Sequence, residues 1–140
     1  MGLQAIAYVS TAARELSASD LDFIVRESRR FNAARGITGV LLHCDGNFMQ
    51  FIEGEPEAVA DTWTRIRSSR LHHQVNELMN LPVERREFSD WTMGFADAAP
   101  TEFLDLAAAP WEDGDSRVGP GRLMLQVFWR NCRTCAAPVF

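Results

Sequence analysis

From Leu3 to Ser10 the chain alternates as a strand does, with Ile6, Tyr8 and Ser10 on one face and Ala5, Ala7 and Val9 on the other. A polar stretch follows, in which Ser19 to Asp22 has capping-box spacing, with Asp in place of Glu. The helix it opens is predicted to run to about Ala34, with Gly36 as its C-cap. Ile37 to Cys44 reads as a buried strand. Asp45-Gly46 is a two-residue hairpin signal, and Phe48 to Glu53 is the returning strand. Gly54 breaks that strand, and Pro56 suits the first turn of a second helix ending near Arg70. His73 to Arg86 contains one or two strands around Pro82, and Trp91 to Phe95 a further short one.

The order β-α-β-β-α-β-β predicts an α+β, ferredoxin-like sandwich with an added strand. Both helices cover one sheet face, and the first and third strands lie side by side in the middle. After Asp97 the pattern changes. Ala98 to Pro110 is alanine-rich and Trp111 to Gly121 carries loop signals. Arg122 to Arg130 is a short helix candidate, apolar almost all round, which requires burial. Its expected place is the open sheet face, or that face of a second subunit. The expected division is therefore residues 1–97 as the sandwich and 98–140 as a helical extension.

Composition narrows the chemistry. The 140 residues are 46% apolar and 24% charged, globular values for one core. All 14 basic residues are arginines, which excludes a P-loop lysine and lysine Schiff-base chemistry. A net charge of -5 argues against a nucleic-acid footprint. No stretch approaches a membrane span, and Met1 to Ser10 lacks the basic start of a signal peptide. Three cysteines without exported context read as reduced thiols, and the expected location is cytoplasmic. Cys132 and Cys135 form one C-x-x-C, too little to close a zinc site, so no metal is expected.

Three residues sit oddly on the helix side. Ile24, Ser28 and Asn32 share one stripe of the first helix, and Asn32 belongs there only if its amide finds a partner. Gln50 lies between Phe48 and Ile52 on one face of the third strand, and Tyr8 lies on the same side of the first. If the strands pair as predicted, a phenol and two carboxamides converge in an apolar cleft without a catalytic His, Cys or carboxylate. Such a cleft suits hydrogen-bond recognition of a planar heterocycle better than acid–base catalysis. Each residue also has an ordinary reading: Asn32 as a helix-end cap, Gln50 exposed at the hairpin, Tyr8 in the core.

These residues resemble the BLUF family, blue-light sensors that bind FAD non-covalently. The resemblance rests on Tyr8-x-Ser10, on Phe31-Asn32-Ala33-Ala34-Arg35-Gly36-Ile37-Thr38-Gly39, on the run from Asp45 to Gly54, and on Trp91-Thr92-Met93-Gly94-Phe95. It covers residues 3 to about 97 and implies an FAD photosensor over 1–97. Tyr8 matches the tyrosine that gives an electron and then a proton to excited flavin. Gln50 matches the glutamine that bridges it to flavin N5 and rearranges at N5/O4 into a red-shifted, dark-reversible state. Asn32 matches the residue holding the O4/N3 edge, Ile24 and Ile66 flank the ring, and Ser28 and Arg65 complete the cofactor set. Trp91 and Met93 match a mobile signal-relay pair, with Ser10 beside Gln50 or Trp91.

Phe31 departs from the polar residue that many relatives carry. Arg29 and Arg30 read as exposed, and His72 and His73 as solvent-facing. Among the tryptophans, Trp91 is the expected neighbour of Tyr8. The resemblance implies a sensor and not an enzyme, signalling to a separate downstream protein and able to dimerise through the sheet or C-terminal helices. Two other readings stand beside it: a flavin-free ferredoxin-like dimerisation module, and an acyl-phosphate hydrolase, which Ser10 to Arg14 only faintly suggests.

Overall fold

In a computed structural model, residues 2–88, 92–97, 99–108 and 111 are described. The helix candidate at Arg122 to Arg130, Cys132, Cys135 and Trp91 lie outside them. The elements are β1 (Leu3–Ala12), α1 (Ala18–Arg35), β2 (Thr38–Cys44), β3 (Asn47–Gly54), α2 (Pro56–Ser68), β4 (His72–Val83), β5 (Gly94–Asp97) and α3 (Pro100–Ala107). The sheet order is β4-β1-β3-β2-β5. β1 and β3 are antiparallel neighbours at the centre, and β5 joins β2 in parallel. This is the ferredoxin-like α+β arrangement with an added strand.

Local chemistry sets the element ends. The N-cap of α1 is Ser17, not Ser19: its hydroxyl accepts from the Asp20 N–H, and the Asp20 carboxylate accepts from the Ser17 N–H. The same S-x-x-D spacing occurs twice, and the earlier copy wins because Arg14 also pairs with Asp20 at 3.2 Å. These bonds hold the Asp20 carboxyl near 2, below its ordinary value. Gly36 ends α1 in the left-handed region at φ 67°. Asp45 and Gly46 both have positive φ, 47° and 81°, the demand of a type I′ hairpin turn. At Gly39 a Cβ would stand 1.9 Å from the Phe51 carbonyl oxygen, so β2 and β3 approach there only because the residue is glycine.

β4 is one strand, although it contains Pro82. It is an edge strand, where a missing N–H is tolerated. Its pairing with β1 shifts register twice, between Ala7 and Tyr8 and between Val9 and Thr11. The last strand begins at Gly94, later than the alternation predicts; Met93 immediately precedes it.

The sheet carries a different core on each face. On one side Ile6, Tyr8, Leu41, Phe48 and Ile52 meet Val25 of α1 and Val59 and Trp63 of α2. On the other, Ala5, Ala7, Val40, Leu42, Met49, Phe51 and Met79 meet Phe103 and Leu106 of α3, with Phe88 and Trp111. The alanine-rich segment thus supplies a helix for the second face, and the Trp111 indole N–H donates to the Leu106 carbonyl at 2.8 Å. Among the described residues no helix is long and apolar enough to cross a membrane.

Candidate functional site

Although α1 is 18 residues long, it buries only Val25 and Asn32. A cavity of about 380 Å³ stands between it, α2 and the sheet. Tyr8, Ile24, Ser28, Asn32, Gln50, Arg65 and Ile66 all line it, with Leu41, Phe48 and Thr62. Phe23 and Leu71, also in the lining, are 59% and 47% exposed and mark its rim.

β1 and β3 hold the central pair. Tyr8 and Gln50 are direct cross-strand partners and therefore face the same side. The Tyr8 hydroxyl donates to Gln50 Oε1. Burial pushes the phenol well above its ordinary pKa, so it keeps the proton it donates. With Oε1 accepting, the Gln50 amide nitrogen points to the Met93 sulfur at 3.5 Å. A thioether is a weak acceptor. Among the described residues, this buried N–H has no better partner, and Gln50 is only 6% exposed. Met93 is fully buried beside it.

Asn32 does not cap the helix with its side chain. Its amide donates across the cavity wall to the Thr92 carbonyl at 2.8 Å, while its backbone carbonyl accepts from Ile37. Arg29 is not a free surface arginine either: its Nε donates to the Met93 carbonyl at 2.9 Å. Two α1 side chains thus tie down the segment that places Met93 beside Gln50. Phe31 lies between two guanidinium groups, those of Arg35 and Arg65, at 3.6 and 3.8 Å from its ring centroid. That stack holds Arg65 at the cavity.

One expectation about the lining needs correction, that His72 faces solvent. His72 and Glu27 also line the cleft; Glu27 pairs with Arg30 at 2.8 Å. His72 faces inward, its Nδ1 2.7 Å from Ser10 Oγ and its Nε2 2.6 Å from the Ile66 carbonyl oxygen. Ser10 accordingly sits beside His72. Among the described residues, the tryptophan against Tyr8 is Trp63 on α2, with ring centroids 5.2 Å apart. His73 is exposed as expected. Among the described residues no group of three or more His, Cys, Asp or Glu could hold a metal ion.

The cavity therefore has apolar walls at Ile24, Ile66, Leu41 and Phe48 and a buried amide donor that, among the described residues, has only a sulfur to bond. A flat heterocycle with acceptors on one edge fits that donor set.

The family model for sensors of blue-light using FAD, BLUF, matches residues 3–94. The photoactivated adenylate cyclase subunit beta of Euglena gracilis is 34% identical over 127 residues, covering 90% of this chain and 14% of that protein. The chain thus spans a small part of that relative. The dark-state structure of BlrB, a BLUF protein, superposes with a TM-score of 0.73 at 26% identity, covering 92% of this chain and 97% of that one. Klebsiella pneumoniae BlrP1 with FMN and cyclic diGMP gives 0.63 at 33% identity, covering 68% and 26%. Fold, cavity and family match agree: the chain belongs to the BLUF family of blue-light sensors, whose chromophore is FAD.

Proposed function

We propose that this chain senses blue light through a Tyr8–Gln50 hydrogen-bond switch facing a non-covalently held FAD. The observation that carries the reading is the buried Gln50 amide, fixed at one end by the Tyr8 hydroxyl and facing only a thioether at the other. When bound, FAD supplies light absorption, an electron acceptor once excited, and acceptor atoms at N5 and O4. Asn32, Ser28 and Arg65 provide polar contacts for it, and Ile24 and Ile66 flank its ring.

Tyr8 is the only phenol in the chain. Its proton already lies on the line to Gln50 Oε1, so loss of an electron from the phenol releases that proton toward the amide. A primary amide has a donor end and an acceptor end. Turning or tautomerising it exchanges which groups Gln50 donates to and accepts from, without creating a charge. Such an exchange also changes what Gln50 presents to Met93. Met93, with Ser10 and Trp91, is the proposed relay to the last strand. The domain division supporting this is a sensor over 1–97 and an extension over 98–140. The output lies in a separate partner protein, with a homodimer through the sheet or C-terminal helices as one route. Relatives that are light-regulated cyclase subunits support a signalling role for the sensor.

Two variants test the switch. Tyr8→Phe and Gln50→Leu are expected to retain flavin but lose the light-induced red shift. A normal photocycle in Tyr8→Phe would remove its assigned role.

A further inference from the structure

β4 enters the sheet through an irregular stretch. Thr11 pairs with His73 but Val9 pairs with Asn76, so Gln74 and Val75 together oppose Ser10 alone. Gln74 takes a left-handed φ of 54° to make this bulge. Where the ladder is interrupted, beside the photoactive tyrosine, His72 supplies the missing connection. Its ring is half-buried and bridges α2 and β1. Nε2 is 2.6 Å from the Ile66 carbonyl at the end of α2, Nδ1 is 2.7 Å from the Ser10 hydroxyl on β1, and the ring stands edge-on to Tyr8 at 5.9 Å and 70°.

A carbonyl oxygen can only accept, so Nε2 carries a hydrogen. In the neutral imidazole Nδ1 is then the acceptor, and the Ser10 hydroxyl donates to it. Both nitrogens are thus committed within the protein, and neither is aimed at a ligand.

We propose that His72 is a positioning residue of the switch. By bonding Ser10 and Ile66 at once, and by packing its edge on the phenol, it holds Tyr8 in the orientation from which the hydroxyl donates to Gln50. This rests on the Tyr8–Gln50 reading above, but it concerns the protein's own bonds and is measurable apart from light sensing.

The test uses the full chain loaded with FAD, in the variants His72→Phe, His72→Gln, Ser10→Ala and Ser10→Ala/His72→Phe. Because Tyr8 is the only tyrosine, isotope-labelled tyrosine gives one unambiguous set of ring and hydroxyl NMR signals. His72→Phe keeps an aromatic edge but loses both hydrogen bonds. It should shift the Tyr8 hydroxyl signal and accelerate dark recovery by roughly tenfold, the scale of one buried hydrogen bond. His72→Gln keeps one donor and one acceptor and should recover within about threefold of the parent, since its amide can serve both partners. Ser10→Ala should act in the same direction, and the double variant should match His72→Phe alone, because Ser10 acts through His72. An unmoved Tyr8 signal in His72→Phe, or effects of positions 10 and 72 that simply add, would overturn the proposal. Should His72→Phe not fold, Ser10→Ala against His72→Gln decides it on the same signal. A parent protein without any light response, but whose Tyr8 signal still moves in His72→Phe, would leave the positioning role standing and remove the photosensor reading.

Discussion

The two faces of the sheet are built from the same strands and treat buried polar groups in opposite ways. On the α3 face the buried ionisable group is Glu53, fully enclosed. The protein satisfies it: Oε1 accepts from the Glu87 N–H, and Oε2 from the Phe88 N–H and the Thr38 hydroxyl. Arg86 closes the same corner by donating to the Glu53 carbonyl and to Thr38 Oγ1. On the helix face Tyr8, Gln50 and Asn32 are also buried, yet the Gln50 amide ends on a sulfur and a cavity lies beside it. A polar group that completes the fold finds all its partners inside the chain. One that awaits a ligand keeps an unspent bond facing a cavity.

Substitutions on the two faces can break this contrast. The largest stability loss is expected for Phe51→Ala in the α3-side core, about 3–5 kcal/mol by chemical denaturation. Glu53→Gln comes next, about 1–3 kcal/mol, because the new amide sets an N–H against an N–H that the carboxylate satisfied. Burial outweighs the hydrogen bonds and raises the Glu53 carboxyl above its ordinary value. The folded chain therefore holds this proton more tightly than the unfolded chain. The corresponding stability is complete below the ordinary glutamate value of about 4.3 and is lost as pH rises through the raised native value. Glu53→Gln should abolish that pH dependence, and an unchanged pH profile would show the carboxyl to be unimportant to it.

On the cavity face the order reverses, with small losses in stability and large ones in function. Asn32→Ala should weaken flavin binding by about tenfold, read by titrating flavin into the apoprotein, as expected for one lost charge-free contact. Tyr8→Phe should cost only about 1 kcal/mol in denaturation. Its effect belongs in the photocycle. A Tyr8→Phe loss as large as that of Phe51→Ala would erase the distinction between the faces.

Much of this was legible in the alternation. Ile6, Tyr8 and Ser10, and Phe48, Gln50 and Ile52, face the helices as period-two reading requires, and Asp45-Gly46 fixes the register of β2 on β3. His72 was not legible, for a specific reason. Met79, Leu81 and Val83 face α3, but the extra residue Leu78 reverses the parity, so Val75 faces the helices. The bulge at Gln74 and Val75 reverses it again and turns His72 inward. The two reversals cancel, so His72 lies where straight alternation from Met79 would put it, but Val75 and Leu78 break that alternation in between and hide it. Arg29 and Trp63 were missed because their partners, the Met93 carbonyl and Tyr8, lie far away in sequence. The two adjacent histidines that open β4 were the available signal.

The central claim meets its most direct test in the absorption spectrum of the purified, FAD-loaded chain before and after blue light. The account predicts a flavin band that shifts slightly to the red on illumination and returns in the dark. A flavin band that blue light leaves in place, or that bleaches without returning, would contradict it.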